Sequence, residues 1–384
     1  MPVLVATDEA QLEELAGVWD QLAPDSPHAS RPLFTLVTRS LPTVLRPHVV
    51  LIDEPGRQPM LVVARIERRP FAIKAGYRTL FRAPARWLVV VAGGILGAQS
   101  QSDYERAVRA LLDVLLDGDA DILHLDKVEQ GGPIEAAVRR QVPAYLRGQD
   151  GSPLKHHRSN LSAGFDAFCA ARSKNTRWRV RKRLRRLADP EAKLAAHRIG
   201  TGDDPVAACR VMDAIAERTY QRRIGVGFAD DDPHRELMGW AVNGGPFRAW
   251  TLAIDGSPAA FLTGLLHERV FYLFDTAFDP TTEAQEPGSI LLAHVIKELA
   301  DSSEVDAFDY AYGEAQYKQT MSDSEYSEID INCYAARPAP LALNLLATTV
   351  AVSIKLVMRI AGPERIAALK QRRRKELAAA DGPQ

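Results

Sequence analysis

Two short stretches of this chain hold residues whose types and spacing suit acyl-group chemistry. Pro287-Gly288-Ser289 stands at the head of a helical pattern, Ile290 to Ala300. The first N–H groups of a helix have no partners within it. Gly288 has no Cβ to keep a ligand off the backbone, and Ser289 adds a hydroxyl. Gly288, Ser289 and Ile290 thus read as a helix start able to hold a pyrophosphate; taken alone, the same residues read first as a turn and a cap, and it is the order of elements around them that favours the phosphate. The second stretch is Gly313-Glu314-Ala315-Gln316-Tyr317-Lys318, which follows a strand pattern from Val305 to Tyr310. The Tyr317 phenol suits protonation of a leaving thiolate, and the Lys318 ammonium suits an oxyanion or a phosphate. Asp275, near the end of the strand pattern Val270–Ala277, and Glu314 are placed to take a proton from an amine. Asp309 or Glu314 is placed to orient Lys318. The plainer alternative makes Tyr317 a half-buried aromatic and Lys318 part of a solvated face.

A third feature is a run of charge. From Arg172 to Arg186 the chain carries nine Lys or Arg and no acid. Val180, Leu184 and Leu187 recur at helical spacing, which predicts an amphipathic helix with a strongly positive outer face bordered by Trp178. A phosphorylated cofactor, an RNA, or an anionic lipid or glycan would suit it, as would plain solvent. Other candidates are weak. Gly93-Gly94-Ile95-Leu96-Gly97 lacks dinucleotide spacing. His156-His157 falls in a linker with no further metal ligands to nominate. Cys333 reads as core.

These residues need elements to hold them. Residues 9–22 read as a helix with Leu12, Leu15, Trp19 and Leu22 on one face. His48–Asp53 and Met60–Arg65 read as strands around Glu54-Pro55-Gly56, and Trp87–Ala92 as a third. A helix from Tyr104 to Leu116 takes Asp103 as its cap, followed by a strand at Asp121–Leu125 and a helical piece at Glu135–Arg140. Residues 148–153 read as a linker. Beyond it, 163–187 and 205–220 read as helices. Phe247–Ile254, Ala259–Leu266, Val270–Ala277 and Tyr326–Tyr334 read as strands. Each half alternates helices with an antiparallel-looking meander, so the class is α+β.

The chain has 384 residues, 46% of them hydrophobic, which suits two domains with cores of their own. A net charge of −1 gives no global pull toward nucleic acid or membrane. Cys169, Cys209 and Cys333 are scattered, and the first residues lack a secretory pattern, so the expected place is the cytoplasm. Leu341–Ile360 is mostly apolar and of membrane-span length, but it carries Lys355 and Arg359 and leads to a basic cluster at 370–375. It reads as a docked terminal helix, or as an interfacial helix that brings 341–375 to the inner face of a membrane.

The order Phe271-Tyr272-Leu273-Phe274-Asp275-Thr276, Pro287-Gly288-Ser289-Ile290, Phe308-Asp309-Tyr310 and Gly313 to Lys318 resembles the GNAT superfamily. More closely it resembles the CelD-like and FemAB-like acyltransferases, over roughly residues 245–335. The resemblance implies two tandem GNAT-like domains, 1–150 and 151–340, each a mixed, mostly antiparallel sheet flanked by helices, with a helical extension over 341–384. It implies an acyl-CoA, acetyl-CoA for example, bound in the second domain with its pyrophosphate at Gly288 and Ser289. It makes Tyr317 and Lys318 the residues to watch. In the related families Asn and Arg recur at the start of the basic helix, which points to Asn175, Arg177 and Arg181. One departure is the loop 281–286, where Glu283 and Glu286 stand just before the phosphate site. The expected activity is transfer of an acyl group from CoA to an amine of a sugar, amino acid or small metabolite, by direct attack and without metal. One alternative is a Fem-like transferase using aminoacyl-tRNA. Another is a non-catalytic scaffold binding membrane or nucleic acid.

Overall fold

Segments of alternating apolar residues pair into a single mixed sheet in the computed structural model, which describes residues 3–75, 78–148, 153–219, 222, 227–302, 304–313 and 315–361. The strands are β1 (Val3–Ala6), β2 (Val44–Ile52), β3 (Met60–Ala75), β4 (Arg78–Leu96), β5 (Ile122–Glu129), β6 (Leu154–Asn160), β7 (Leu194–Arg198), β8 (Phe247–Ile254), β9 (Ser257–His267), β10 (Val270–Phe278), β11 (Ala307–Tyr312) and β12 (Ser324–Tyr334). Their order across the sheet is β1-β2-β3-β4-β5-β12-β6-β11-β10-β9-β8-β7. The helices are α1 (Glu9–Glu14), α2 (Ala16–Gln21), α3 (Arg31–Ser40), α4 (Gln101–Leu116), α5 (Pro133–Gln141), α6 (Gly164–Ala170), α7 (Lys174–Ala188), α8 (Pro205–Ala216), α9 (Asp232–Val242), α10 (Pro287–Asp301), α11 (Gln316–Met321) and α12 (Pro338–Ala361).

The two ends of the sheet are built alike. Each is an antiparallel meander closing on a parallel pair, β4 with β5 and β10 with β11. A parallel pair needs a crossover, and α4 and α10 supply the two. Both pairs are short. The first runs from Trp87↔Ile122 to Val90↔Leu125, and the second from Val270↔Ala307 to Tyr272↔Asp309. Past those rungs each pair opens as a fork. At the centre the halves exchange strands. β12, near the end of the chain, pairs with β5, while β6 pairs with β11, and β6 and β12 pair with each other. The 150/151 boundary therefore does not divide the sheet.

Apolar faces of the helices seal both sides of the sheet. α4 and α5 cover Val50, Leu88, Ile329 and Ile331, and α1 to α3 cover Val49, Leu61 and Val63. In the second half α6, α7 and α10 cover Leu262, Phe271 and Phe308, while α8 and α9 cover Phe247 and Phe261. Leu33 and Leu36 of α3 join that last cluster, so an N-terminal helix is part of a C-terminal core. Each such side chain contributes about 1.5–3 kcal/mol by its burial.

Several local expectations change. The 9–22 helix breaks at Leu15. The 163–187 helix breaks before Ser173, whose hydroxyl accepts from Thr176 N and starts α7 afresh. The cap of α4 is Ser100 rather than Asp103, which closes a capping box from the third helical position. His156 and His157 lie on β6 and are buried, not in a linker. α12 lays Leu343, Ala347 and Val350 against Phe71, Ile73, Trp87 and Tyr334, and Asn344 donates to the carbonyls of Tyr145 and Arg147 at 2.9 and 3.3 Å. Among the described residues no helix is long and apolar enough to cross a membrane. Glu314 and the 370–375 cluster lie outside the described residues.

Candidate active site

The two forks end at helix starts that differ. In the first half, the N-terminus of α4 is filled by its own side chains. Asp103 accepts from Gln99 N at 3.0 Å and Ser100 N at 2.8 Å, and the Ser100 hydroxyl accepts from Asp103 N at 3.3 Å. A carboxylate already sits where an anion would bind. In the second half, α10 has no side-chain cap. Glu286 enters it in the left-handed region (φ 58°), Pro287 brings no N–H, and Ile290 N donates back to Glu286 O. Among the described residues the Gly288 and Ser289 N–H groups have no acceptor. The Ile290 side chain is core, so only its backbone belongs to this helix start. A Cβ on Gly288 would meet the Phe278 ring at 3.2 Å, a tight contact that a glycine avoids.

Positive charge reaches this helix start from α7, which packs along α10. Arg183 pairs with Glu286 at 2.5 Å, and Arg186 donates to the Gln285 carbonyl at 2.8 Å. The Arg183 guanidinium, ahead of the opposing effect of burial, holds the Glu286 carboxyl below its usual range. The carboxylate that stood against a phosphate at this place is thus neutralised. Arg177 and Arg181 are elsewhere. Arg177 donates to Arg172 O at 3.4 Å, and Arg181 lies 3.3 Å from Asp166. At about 3.6 residues per turn, Arg177 and Arg181 border one side of the Val180–Leu184–Leu187 stripe, and Arg183 and Arg186 border the other. Sequence spacing finds both borders but not which one faces α10.

The remaining predicted residues separate. Lys318 is buried, and its Nζ donates to Ala311 O at 3.2 Å and Tyr312 O at 2.7 Å. Burial pulls its pKa down to about 8, against Asp309. That ammonium ties off the end of β11 and does not contact Asp309 or any open space. Tyr317 is 36% exposed and lies edge-on to Tyr310 at 6.3 Å. Burial pushes its phenol up to about 12, and among the described residues its hydroxyl has no partner. Asp275 lies 3.8 Å from His234 and sits within the β10 bulge between Leu273 and Thr276.

Asp309 is instead the hub of a buried network at the centre of the sheet. Its Oδ2 accepts from Arg158 Nη2 at 3.1 Å and Tyr326 Oη at 2.8 Å, while Oδ1 accepts from Ala311 N at 2.8 Å and lies 3.6 Å from His156 Nδ1. His156 Nε2 is 2.8 Å from a Glu328 oxygen. Burial opposes charge on both groups, but their partners prevail. Asp309 is held below the usual carboxylate range, and His156 is raised to about 9. His28 has the opposite setting. Burial first, then the positive charge of Lys127, lowers it to about 4. Its ring stacks on Phe274, just past the last rung of the β10–β11 pair, at 6.1 Å.

This network forms one wall of a cavity of about 470 Å³ that fills the β4–β5 fork and reaches Tyr272, at the apex of the other fork. Loop residues Leu22, Asp25 and Ser26 roof it, held down by Tyr272 Oη donating to Asp25 O at 3.3 Å. Asp25, Asp126, Glu129 and Glu328 line it against Lys127 and Arg158, an excess of negative charge. His124, Asp126 and Asp330 approach within 4.8 Å of one another. Lys127 already serves both acids, its Nζ 3.7 Å from Asp126 and its N–H donating to Asp330 at 3.1 Å. His28, His156, Arg158, Tyr326 and Glu328 carried no signal in sequence, because they converge from three distant segments.

Residues 174–319 match the family described as Acetyltransferase (GNAT) domain. No curated protein matches the sequence. Among solved structures, FemX superposes with a TM-score of 0.57 at 9% identity, over 87% of this chain and 97% of that one. A conserved protein of unknown function from Bacteroides thetaiotaomicron gives 0.54 at 12% identity, over 86% and 100%. A tandem GNAT protein from the clavulanic acid biosynthesis pathway gives 0.50 at 13% identity, over 88% and 100%. The fold is that of the GNAT acyltransferases.

Proposed function

We propose that this chain, whose residues 174–319 match an acetyltransferase (GNAT) domain, is an acyltransferase that moves an acyl group from a CoA thioester to an amine held in the central cavity. One observation carries the reading. Of the two helix starts that follow the forks, α4 is closed by its own Asp103, and α10 is open with Arg183 and Arg186 beside it. A diphosphate needs free N–H groups and cations together, and the second half offers both.

The rest of the reaction follows from position. The pantetheine chain adds to β10 beyond Tyr272 on the side away from β9, where no strand pairs among the described residues. N–H groups near the Leu273–Thr276 bulge receive the thioester oxygen as it gains charge. The acidic lining of the cavity draws in a cationic acceptor. The ammonium loses its proton to water, so that the nitrogen lone pair attacks the carbonyl carbon. The C–S bond then breaks, Tyr317 protonates the thiolate, and the second proton lost by the nitrogen returns through water to the Tyr317 phenolate. His156 and Asp309 hold the wall residues Arg158, Tyr326 and Glu328 in place. Acyl group, acceptor and CoA balance without a further reactant.

Isothermal titration of the full chain with CoA and acetyl-CoA tests this reading. Micromolar binding is expected, and absence of binding at millimolar ligand would overturn it. The outer face of α7 favours a second reading. Lys174, Arg179, Lys182 and Arg185 have no carboxylate partner among the described residues, and Trp178 is exposed. Such a face suits RNA, hence an aminoacyl-tRNA donor. Activity in a cell extract that is lost on RNase treatment and not restored by acetyl-CoA would select it.

A further inference from the structure

We propose that the far end of the β3–β4 ribbon, together with the end of α12, docks on an anionic phospholipid bilayer. Beyond the rung Glu67↔Trp87, strands β3 and β4 pair only with each other, out to Ala75↔Arg78. A two-stranded ribbon is marginal without a cover. α12 covers one face, starting just after Tyr334 and packing Leu343, Ala347 and Val350 against the cluster that holds Phe71 and Ile73. The ribbon and α12 are thus packed neighbours.

What they expose is apolar. Leu80 is 57% exposed, Phe81 40%, Val352 50% and Leu356 57%. With Leu345 and Leu346, these two elements carry six of the sixteen exposed large hydrophobic residues described. Positive charge lies directly behind. Arg68 and Arg82 flank a shallow hollow of about 300 Å³ floored by Pro70 and Pro84. Neither has a carboxylate partner among the described residues, since Glu67 is held by Arg65 at 2.7 Å and Arg69 at 3.6 Å. The sequence from Arg65 to Arg86 has seven basic residues and one acid. Apolar groups at a tip with guanidinium groups behind them match acyl chains below a layer of phosphates. A second copy of the chain fits worse, because it would set like charges against each other.

The inference does not rest on the acyl-transfer reading. Flotation of the full chain with vesicles tests it. Phosphatidylglycerol–phosphatidylcholine vesicles are expected to carry the protein up, pure phosphatidylcholine vesicles are not, and roughly 0.5 M salt should release it. F81S/L356S should lower partitioning at least about tenfold, and R68Q/R82Q about 30-fold. Transfer to a soluble acceptor should be unchanged in both variants. Failure to float at millimolar anionic lipid would sink the proposal, as would equal flotation on phosphatidylcholine alone. So would a wild-type dimer that the same substitutions dissolve without any vesicle binding.

Discussion

Two histidines of one neighbourhood hold opposite protonation states, and this sets how stability responds to pH. His156 is raised to about 9, so its ionic contacts stabilise fully below its unfolded pKa near 6.5 and are lost as pH rises through about 9. His28 and His48, both lowered to about 4 with burial as the main cause, act in the other direction. The unfolded chain binds protons before the folded one does, so stability falls as pH drops from about 6.5 toward 4. Denaturant unfolding across pH is expected to give a maximum near neutrality. His156→Gln should flatten the alkaline side, and His28→Gln should ease the acid side. An unchanged alkaline side in the His156 variant would show that Asp309 and Glu328 do not hold that proton. None of this was legible in sequence. His156-His157 reads as part of a linker when β6 is not foreseen, and Asp309 reads as an aid to Lys318. The strand alternation that turns Asp309 away from Lys318, toward Arg158 and Tyr326, appears only once β6 and β12 pair beside β11.

At the scale of elements, the open start of α10 and the arginine border of α7 act as a unit. Arg183→Ala removes a charge-assisted contact of about 1.5–3 kcal/mol and leaves Glu286 unneutralised. CoA affinity should fall at least about tenfold, and its salt dependence should weaken. Glu286→Gln should tighten binding severalfold, because the freed guanidinium faces the phosphates alone. Titration calorimetry on both variants checks the pair, and equal affinities would place the diphosphate elsewhere. Ser100→Ala is the control. It should cost about 1 kcal/mol of stability as a lost cap and leave CoA binding alone. The helical pattern after Gly288 and the amphipathic run from Lys174 to Ala188 were both readable from spacing. The same spacing nominated Arg177 and Arg181, because a helix has two borders to its apolar stripe and only its packing partner distinguishes them.

At the scale of the whole molecule, the exchanged strands bind the halves together. β12 supplies Ile329, Ile331 and Cys333 to the first core, and α3 supplies Leu33 and Leu36 to a core of the second half. The full chain is expected to unfold in one cooperative calorimetric transition. Residues 1–150 alone should show none, since they lack the strand that pairs with β5. A reversible transition of that fragment would show that the halves are independent. The sequence by itself determined the α+β class, most strands and helices, the helix start at Pro287-Gly288 and the positive helix, because periodicity and capping act over a few residues. Only the tertiary structure decided which fork is open, which arginines serve it, and that an acidic cavity lies between the halves. Those depend on strands far apart in the chain coming side by side, a pairing that local spacing does not encode.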